Sequence, residues 1–91
     1  MPLSNKPPSA SRKLFAERLR AERKARRLSL EDLGELSGLS WNYIGQVERS
    51  QRNVSVDHMD ALARALGVQL YELLMADAAP MGARGSLDAT S

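Results

Sequence analysis

Ninety-one residues, 13 Lys or Arg against 11 Asp or Glu, and no cysteine bound what this chain can be. One domain of this size buries only about 60 per cent of its unfolded surface and is marginal alone, so a second copy would help it. The missing cysteines exclude disulfides and thiolate metal sites and suit a reducing, cytoplasmic setting. The opening MPLSNKPPSA lacks an apolar signal core and no run approaches the ~20 apolar residues of a membrane span, so the expectation is a protein that does not engage membranes.

The net charge of +2 conceals an uneven distribution. Nine Lys or Arg stand against two acids up to Arg27; four stand against nine from Leu28 onward. The amino-terminal part is suited to a polyanion, and the competing reading is a solvated basic helix.

In chain order, residues 1–10 hold three prolines and no periodicity, and are expected to form a flexible arm. A first helix should start near Ser11 and run to about Arg26, burying Leu14, Phe15 and Leu19. A second, Leu30 to Ser37, follows Ser29. That serine forms a Ser-x-x-Asp capping box with Asp32, while Glu31 and Asp32 suit the helix dipole. Leu33 and Leu36 recur at i and i+3, and Gly34 leaves room for a close helix crossing. Gly38 marks a left-handed turn, and Ser40 caps a third helix to about Arg49. Ile44 and Val47 place that helix on the core, leaving Trp41, Asn42, Tyr43 and Gln46 outward.

Residues 50–54, SQRNV, read as a loop. Ser55 caps a fourth helix with Val56, Met59, Leu62, Ala63 and Leu66 as its inner stripe, and Gly67 stops it. A short fifth helix is expected from about Gln69 to Met75, with Leu70, Leu73 and Leu74 apolar. The domain thus spans 11–75. Residues 76–91 are small, polar and rich in breakers, expected as a disordered tail or as a linker toward a further domain.

A short helix, tight turn and short helix between Leu28 and Val47 is a unit that reads DNA. The wider run LSLEDLGELSGLSWNYIGQVERSQRNVSVDHMDALARALGVQLYELL, Leu28 to Leu74 with Arg23 ahead of it, resembles the lambda-repressor and Cro-like helix-turn-helix family, also called the xenobiotic-response-element (XRE) family. The resemblance covers roughly residues 14–75. It implies an all-α, compact five-helix domain whose helices 2 and 3 form the helix-turn-helix, in a regulator of the size of stand-alone members such as restriction-modification controller proteins.

The resemblance puts base reading at the outward, amino-terminal half of helix 3: Trp41, Asn42 and Gln46, with Tyr43 nearby. Asn and Gln can each give and take a hydrogen bond at the N6 and N7 edge of adenine, and an aromatic ring can pack on a thymine methyl, so sites with A·T pairs are expected. A competing reading packs Trp41 on a neighbouring helix. Arg49, Arg52, Asn53 and Ser40 are the phosphate candidates, the loop residues among them having solvated positions as their alternative. Two departures stand out: Leu30 replaces the family's usual phosphate-contacting Gln, and Ser50 its usual Gly. The backbone N–H groups that open helix 2 can still bind a phosphate.

Arg23 and Glu48 match a pair that joins helix 1 to the end of helix 3 in related proteins; the rival role for Arg23 is a phosphate contact. Glu31, Asp32 and Glu35 match the face that touches the sigma subunit of RNA polymerase in activators, against plain capping and solubility. Family members generally bind palindromic operators as homodimers, and Leu70, Tyr71, Leu74 and Met75 are the interface candidates, unless the leucines only close the core.

No residue set supports catalysis, a metal or a cofactor. His58, the one histidine, is expected to be exposed or incidental, and GARG near the tail lacks the Lys, strand and helix of a phosphate-cradling loop. The sequence points to a transcription regulator acting on double-stranded DNA as repressor, activator or both. The alternative is an antitoxin-like or adaptor module for which DNA binding is secondary.

Overall fold

Four serines set the starts of four helices. Ser9, Ser29, Ser40 and Ser55 each hold an extended backbone and accept a hydrogen bond from the amide three residues on, at Arg12, Asp32, Tyr43 and His58. Each cap satisfies one otherwise orphaned N–H and is worth about 1 kcal/mol. The computed structural model describes residues 7–76, and among these all regular structure is helical: α1 (Ala10–Ala25), α2 (Leu30–Ser37), α3 (Trp41–Glu48) and α4 (Val56–Leu66), followed by a 3-10 segment, Leu70–Leu74. Most of the expected arm and nearly all of the expected tail, residues 1–6 and 77–91, lie outside the described residues.

The helix boundaries follow local chemistry. At α2 the capping box is complete: Ser29 Oγ accepts from Asp32 N at 2.9 Å, and Asp32 Oδ2 accepts from Ser29 N at 2.9 Å. Gly38 at φ 82° and Gly67 at φ 76° end α2 and α4 in the left-handed conformation that glycine adopts without strain. α1 begins at Ala10, beside the expected start near Ser11, because Ser9 caps it.

The expected fifth α-helix is instead a 3-10 segment, so the described residues hold four α-helices. Gln69 gives it no side-chain cap, and five residues cannot repay the cost of nucleating an α-helix.

The core is built by Phe15 and Leu19 of α1, Leu33 of α2, Ile44 and Val47 of α3, Leu62, Ala63 and Leu66 of α4, and Leu73. Of the expected inner stripe of α4, Met59 only packs half-buried against this core and Val56 is 64% exposed, and on α2 Leu36, apolar at i+3 from Leu33, is 58% exposed. A string spaced i, i+3, i+6 precesses about 60° per step on a 3.6-residue helix, which puts Val56 about 120° from Leu62. Leu36, one such step from Leu33, reaches the rim of an open groove beside Asp57, Asp60 and Ala61. Leu14 is half-buried.

Two arginines of α1 tie distant segments down. Arg12 Nη2 donates to the Ser50 carbonyl at 3.0 Å, and Arg18 Nε to the Glu72 carbonyl at 3.4 Å. The crossing of α2 and α3 depends on Gly34, where a Cβ would lie 2.8 Å from the Leu39 carbonyl oxygen and 3.4 Å from Trp41 N. Because both neighbours are backbone, α2 and α3 must separate to admit a methyl group. Gly34→Ala is therefore expected to lower stability by about 1–2 kcal/mol in urea unfolding, despite alanine's better helix propensity; an unchanged or raised midpoint would contradict so tight a crossing.

Candidate nucleic-acid interface

α3 is held at both ends before its outer face is used. At its start Ser40 caps it. At its end Glu48 receives Arg23 in two parallel bonds, Nε to Oε2 at 2.7 Å and Nη2 to Oε1 at 2.9 Å, while Arg23 Nη1 donates to the Leu28 carbonyl at 2.8 Å. The Glu48 side chain is only 4% exposed. One guanidinium thus joins α1, the residue leading into α2 and the end of α3. The bond to Glu48 raises the Arg23 pKa above its ordinary value, against the opposing effect of burial. The expected pairing of these residues is present as a bidentate contact.

On the outer face Trp41 is 52% exposed and Asn42 is exposed. Among the described residues, none covers this outer edge fully, the indole being about half accessible. Trp41 borders a shallow cavity of about 520 Å³ with Glu31, Gly34, Glu35, Leu39 and Ser40, so two acids of α2 sit beside the indole. Asp32 is not with them. Its carboxylate is occupied by the capping box, and the Ser29 backbone N–H, followed by the Ser29 hydroxyl, lowers its pKa below the usual carboxylate range.

Tyr43 departs from the expected outward placement. It is half-buried, packs against the core, and its hydroxyl is hydrogen-bonded to His58 Nδ1 at 3.0 Å, with the two rings edge to face at 5.2 Å. Burial raises the Tyr43 pKa, partly offset by the nearby Arg52 cation. His58 is exposed, as expected, yet not incidental, since its ring holds Tyr43 of α3. The Arg52 guanidinium lies 5.2 Å from the Tyr43 ring centroid, and its Nη1 donates to Gln46 Oε1 at 3.1 Å. Gln46 is half-buried.

Beyond α3, Ser50 adopts φ 61°, a left-handed turn at the position where the resembled family usually carries glycine. A serine there bears the strain that Cβ brings, and Arg12 holds its carbonyl. Arg49, Arg52 and Asn53 are exposed, and Arg49 Nε donates to Gln51 Oε1 at 3.3 Å. Arg49 and Arg20 of α1 line one shallow cavity of about 360 Å³ floored by Leu30 and Gly45. A Cβ on Gly45 would meet Arg49 Nη1 at 3.3 Å and Leu30 Cδ1 at 3.4 Å, so this glycine lets the guanidinium fold close to α3. Sequence reading missed the roles of Arg12, Arg20 and Gly45. Only the glycine, isolated inside a helix, left a local sign.

At the carboxy-terminal end Tyr71 is 63% exposed, Leu74 is exposed, Leu70 and Met75 are half-buried, and Leu73 closes the core. Among the described residues no group of His, Cys, Asp and Glu is arranged to hold a metal, and no helix is long and apolar enough to cross a membrane.

These features define a small all-helical domain that displays one short, well-braced helix. A family model described as Helix-turn-helix matches residues 19–73, and the chain belongs to that family, in its lambda-repressor-like XRE branch. It is similar to the control protein C.SmaI of Serratia marcescens, 43% identical over 63 residues that cover 69% of this chain and 75% of that one. Among solved structures it is similar to the restriction-modification controller protein C.AhdI from Aeromonas hydrophila, with 48% identity and a TM-score of 0.68 over 71% of this chain and 98% of that one. The restriction-modification controller protein C.Esp1396I, solved as a tetramer in complex with its natural 35 base-pair operator, matches with 25% identity and a TM-score of 0.68 over 72% of this chain and 91% of that one.

Two predictions follow from the braces. Glu48→Ala leaves the Arg23 guanidinium buried and unpaired, so it should cost about 3 kcal/mol in urea unfolding. The double variant Arg23→Met, Glu48→Leu should cost clearly less, and equal losses would show that the pair is not coupled. Asp32 has a folded-state pKa below its unfolded value, so its contribution is present above the ordinary carboxylate range and is lost as pH falls through the lowered value. Stability of Asp32→Asn should accordingly fall less steeply with acid than that of the parent over that window, and parallel curves would contradict the assignment.

Proposed function

We propose that this protein is a sequence-specific, double-stranded-DNA-binding transcription regulator in which α2, the Gly38 turn and α3 form the helix-turn-helix and α3 enters the major groove. The observation that carries this reading is the open outer face of α3, with an indole and an amide at its first turn and two exposed arginines just past its end. A major groove admits one α-helix, and amides and aromatic rings are groups that meet base edges and thymine methyls there. Trp41, Asn42 and Gln46 take the base-reading role, with Tyr43 bracing them. Arg49, Asn53 and the Ser40 end of α3 take the phosphates on either side. The relatives' names, control and controller proteins, support the regulatory part, and the operator-bound C.Esp1396I supports the DNA part.

One domain spans too few base pairs to discriminate well, so the reading includes a homodimer on a palindromic operator, in the cytoplasm, formed through Tyr71 and Leu74 with Leu70 and Met75 at their edge. The exposed side chains of Tyr71 and Leu74 at the carboxy-terminal end support that face. The choice between repression and activation goes with operator position. For activation, Glu31 and Glu35 are the free acids of α2 that would face the sigma subunit, since Asp32 is committed to its cap. Glu35→Lys should then reduce activation while leaving DNA affinity intact.

The reading is tested by selecting bound duplexes from a random pool and titrating variants on the winner. Asn42→Ala should relax the preference at one base pair per half-site by about fivefold or more. Arg49→Ala should weaken all duplexes alike and make the dependence of affinity on salt shallower by about one ion. A pool that yields no enriched sequence would overturn the proposal. Tyr71→Asp should shift sedimentation toward the monomer, and a parent chain already monomeric at tens of micromolar would remove the dimer from it.

A further inference from the structure

Gln46, Arg52, Tyr43 and His58 form a chain of side-chain contacts running from α3 through the following loop to the first turn of α4. The His58 ring nitrogen holds the Tyr43 hydroxyl at 3.0 Å, the Tyr43 ring carries the Arg52 guanidinium 5.2 Å from its centroid, and Arg52 Nη1 donates to Gln46 Oε1 at 3.1 Å. A guanidinium has five N–H donors and no acceptor, so the part of the Gln46 amide that faces it must be the oxygen. The chemistry of arginine alone decides which way the amide is turned. Gripping adenine would require Oε1 to turn to the N6 amino group while Nε2 reaches N7. With Oε1 drawn toward the loop, the amide offers a base its two N–H hydrogens.

We infer that Arg52 is a positioning residue that fixes Gln46 as a hydrogen-bond donor, so that α3 selects guanine rather than adenine at the pair Gln46 meets. Guanine shows two acceptors in the major groove, N7 and O6, where adenine shows N7 beside an amino group that would oppose another N–H donor. The tyrosine and histidine make the arrangement rigid: edge-to-face packing and a hydrogen bond fix the ring, and the ring's electron-rich face holds the cation. This replaces the adenine preference expected for Gln46 from sequence, while Asn42, which has no such partner among the described residues, keeps its two-way edge. The inference rests on the proposal that α3 reads the major groove.

The test uses the full chain and four duplexes that differ only at the base pair whose preference Gln46→Ala relaxes, with binding titrated at one salt concentration. The parent should favour guanine over adenine there by about fivefold or more, the lower range of a base-edge contact. Arg52→Ala frees the amide to turn and should reverse that ratio toward adenine, beyond any loss of affinity common to all four duplexes. Arg52→Ala in the Gln46→Ala background should leave the four affinities in the order the single Gln46→Ala variant gives. A guanine-to-adenine ratio unchanged by Arg52→Ala, with only a uniform loss and a shallower salt dependence, would make Arg52 a phosphate contact and overturn the inference. If the parent discriminates among duplexes but Gln46→Ala alters no preference, the inference falls while base reading by α3 stands. If the parent discriminates among none, both fall.

Discussion

The double hydrogen bond between Arg23 and Glu48 is the interaction on which the rest of the molecule depends. Glu48 ends α3, Arg23 lies in the last turn of α1, and the third arm of the guanidinium holds the carbonyl of Leu28 just before α2 begins. A bidentate arginine–carboxylate contact fixes orientation as well as distance, and a lysine, as a point charge, would not. Its burial makes the two partners mutually obligatory, since either one alone would be a desolvated charge. What it gives the fold is placement: the axis of α3 is set relative to the longest helix of the bundle.

The opposite end of α3 is placed by sterics rather than charge. Gly34 brings α2 within reach of the turn at Leu39, Gly38 reverses the chain in a conformation other residues adopt only with strain, and Ser40 starts α3 directly afterward. With Ile44 and Val47 in the core, the short helix has little freedom to roll. A reading surface gains from this stiffness, because side chains held before an encounter lose less entropy in making it. The outer residues are then graded. Trp41 and Asn42 stand free at the tip, while Tyr43 and Gln46 are tied back into the loop and α4. A protein of 91 residues that buries a modest core thereby concentrates its rigidity around one helix of eight residues.

Local chemistry was legible in the sequence, and long-range side-chain chemistry was not. Ser29, Ser40 and Ser55 with Gly38 and Gly67 mark helix ends because capping and left-handed turns are decided within three or four residues. Leu33, Ile44, Val47, Leu62 and Leu66 were recognisable as core from their spacing. That same spacing misled at Leu36 and Val56, where i+3 repetition carried the stripe round to the solvent side; at Leu70–Leu74 the apolar residues did mark a helical segment, but one of the tighter 3-10 form. Nothing local links Tyr43 to His58 fifteen residues on, or Arg12 to Ser50 across thirty-eight, so the buttress behind α3 and the brace on its exit loop emerged only from the packed chain. The Arg23 and Glu48 pair was found through family resemblance, and the structure supplied its geometry.

The chain contains a single tryptophan, and it stands half-exposed at the tip of α3. Its fluorescence therefore reports on the proposed contact without any label. In a titration of the full chain with its selected duplex, binding being followed independently by a mobility shift, entry of α3 into the groove predicts that the Trp41 emission is quenched or shifted and saturates with the same midpoint as the mobility change. A duplex that binds stoichiometrically while the emission of Trp41 stays as it is in the free protein would contradict the central claim.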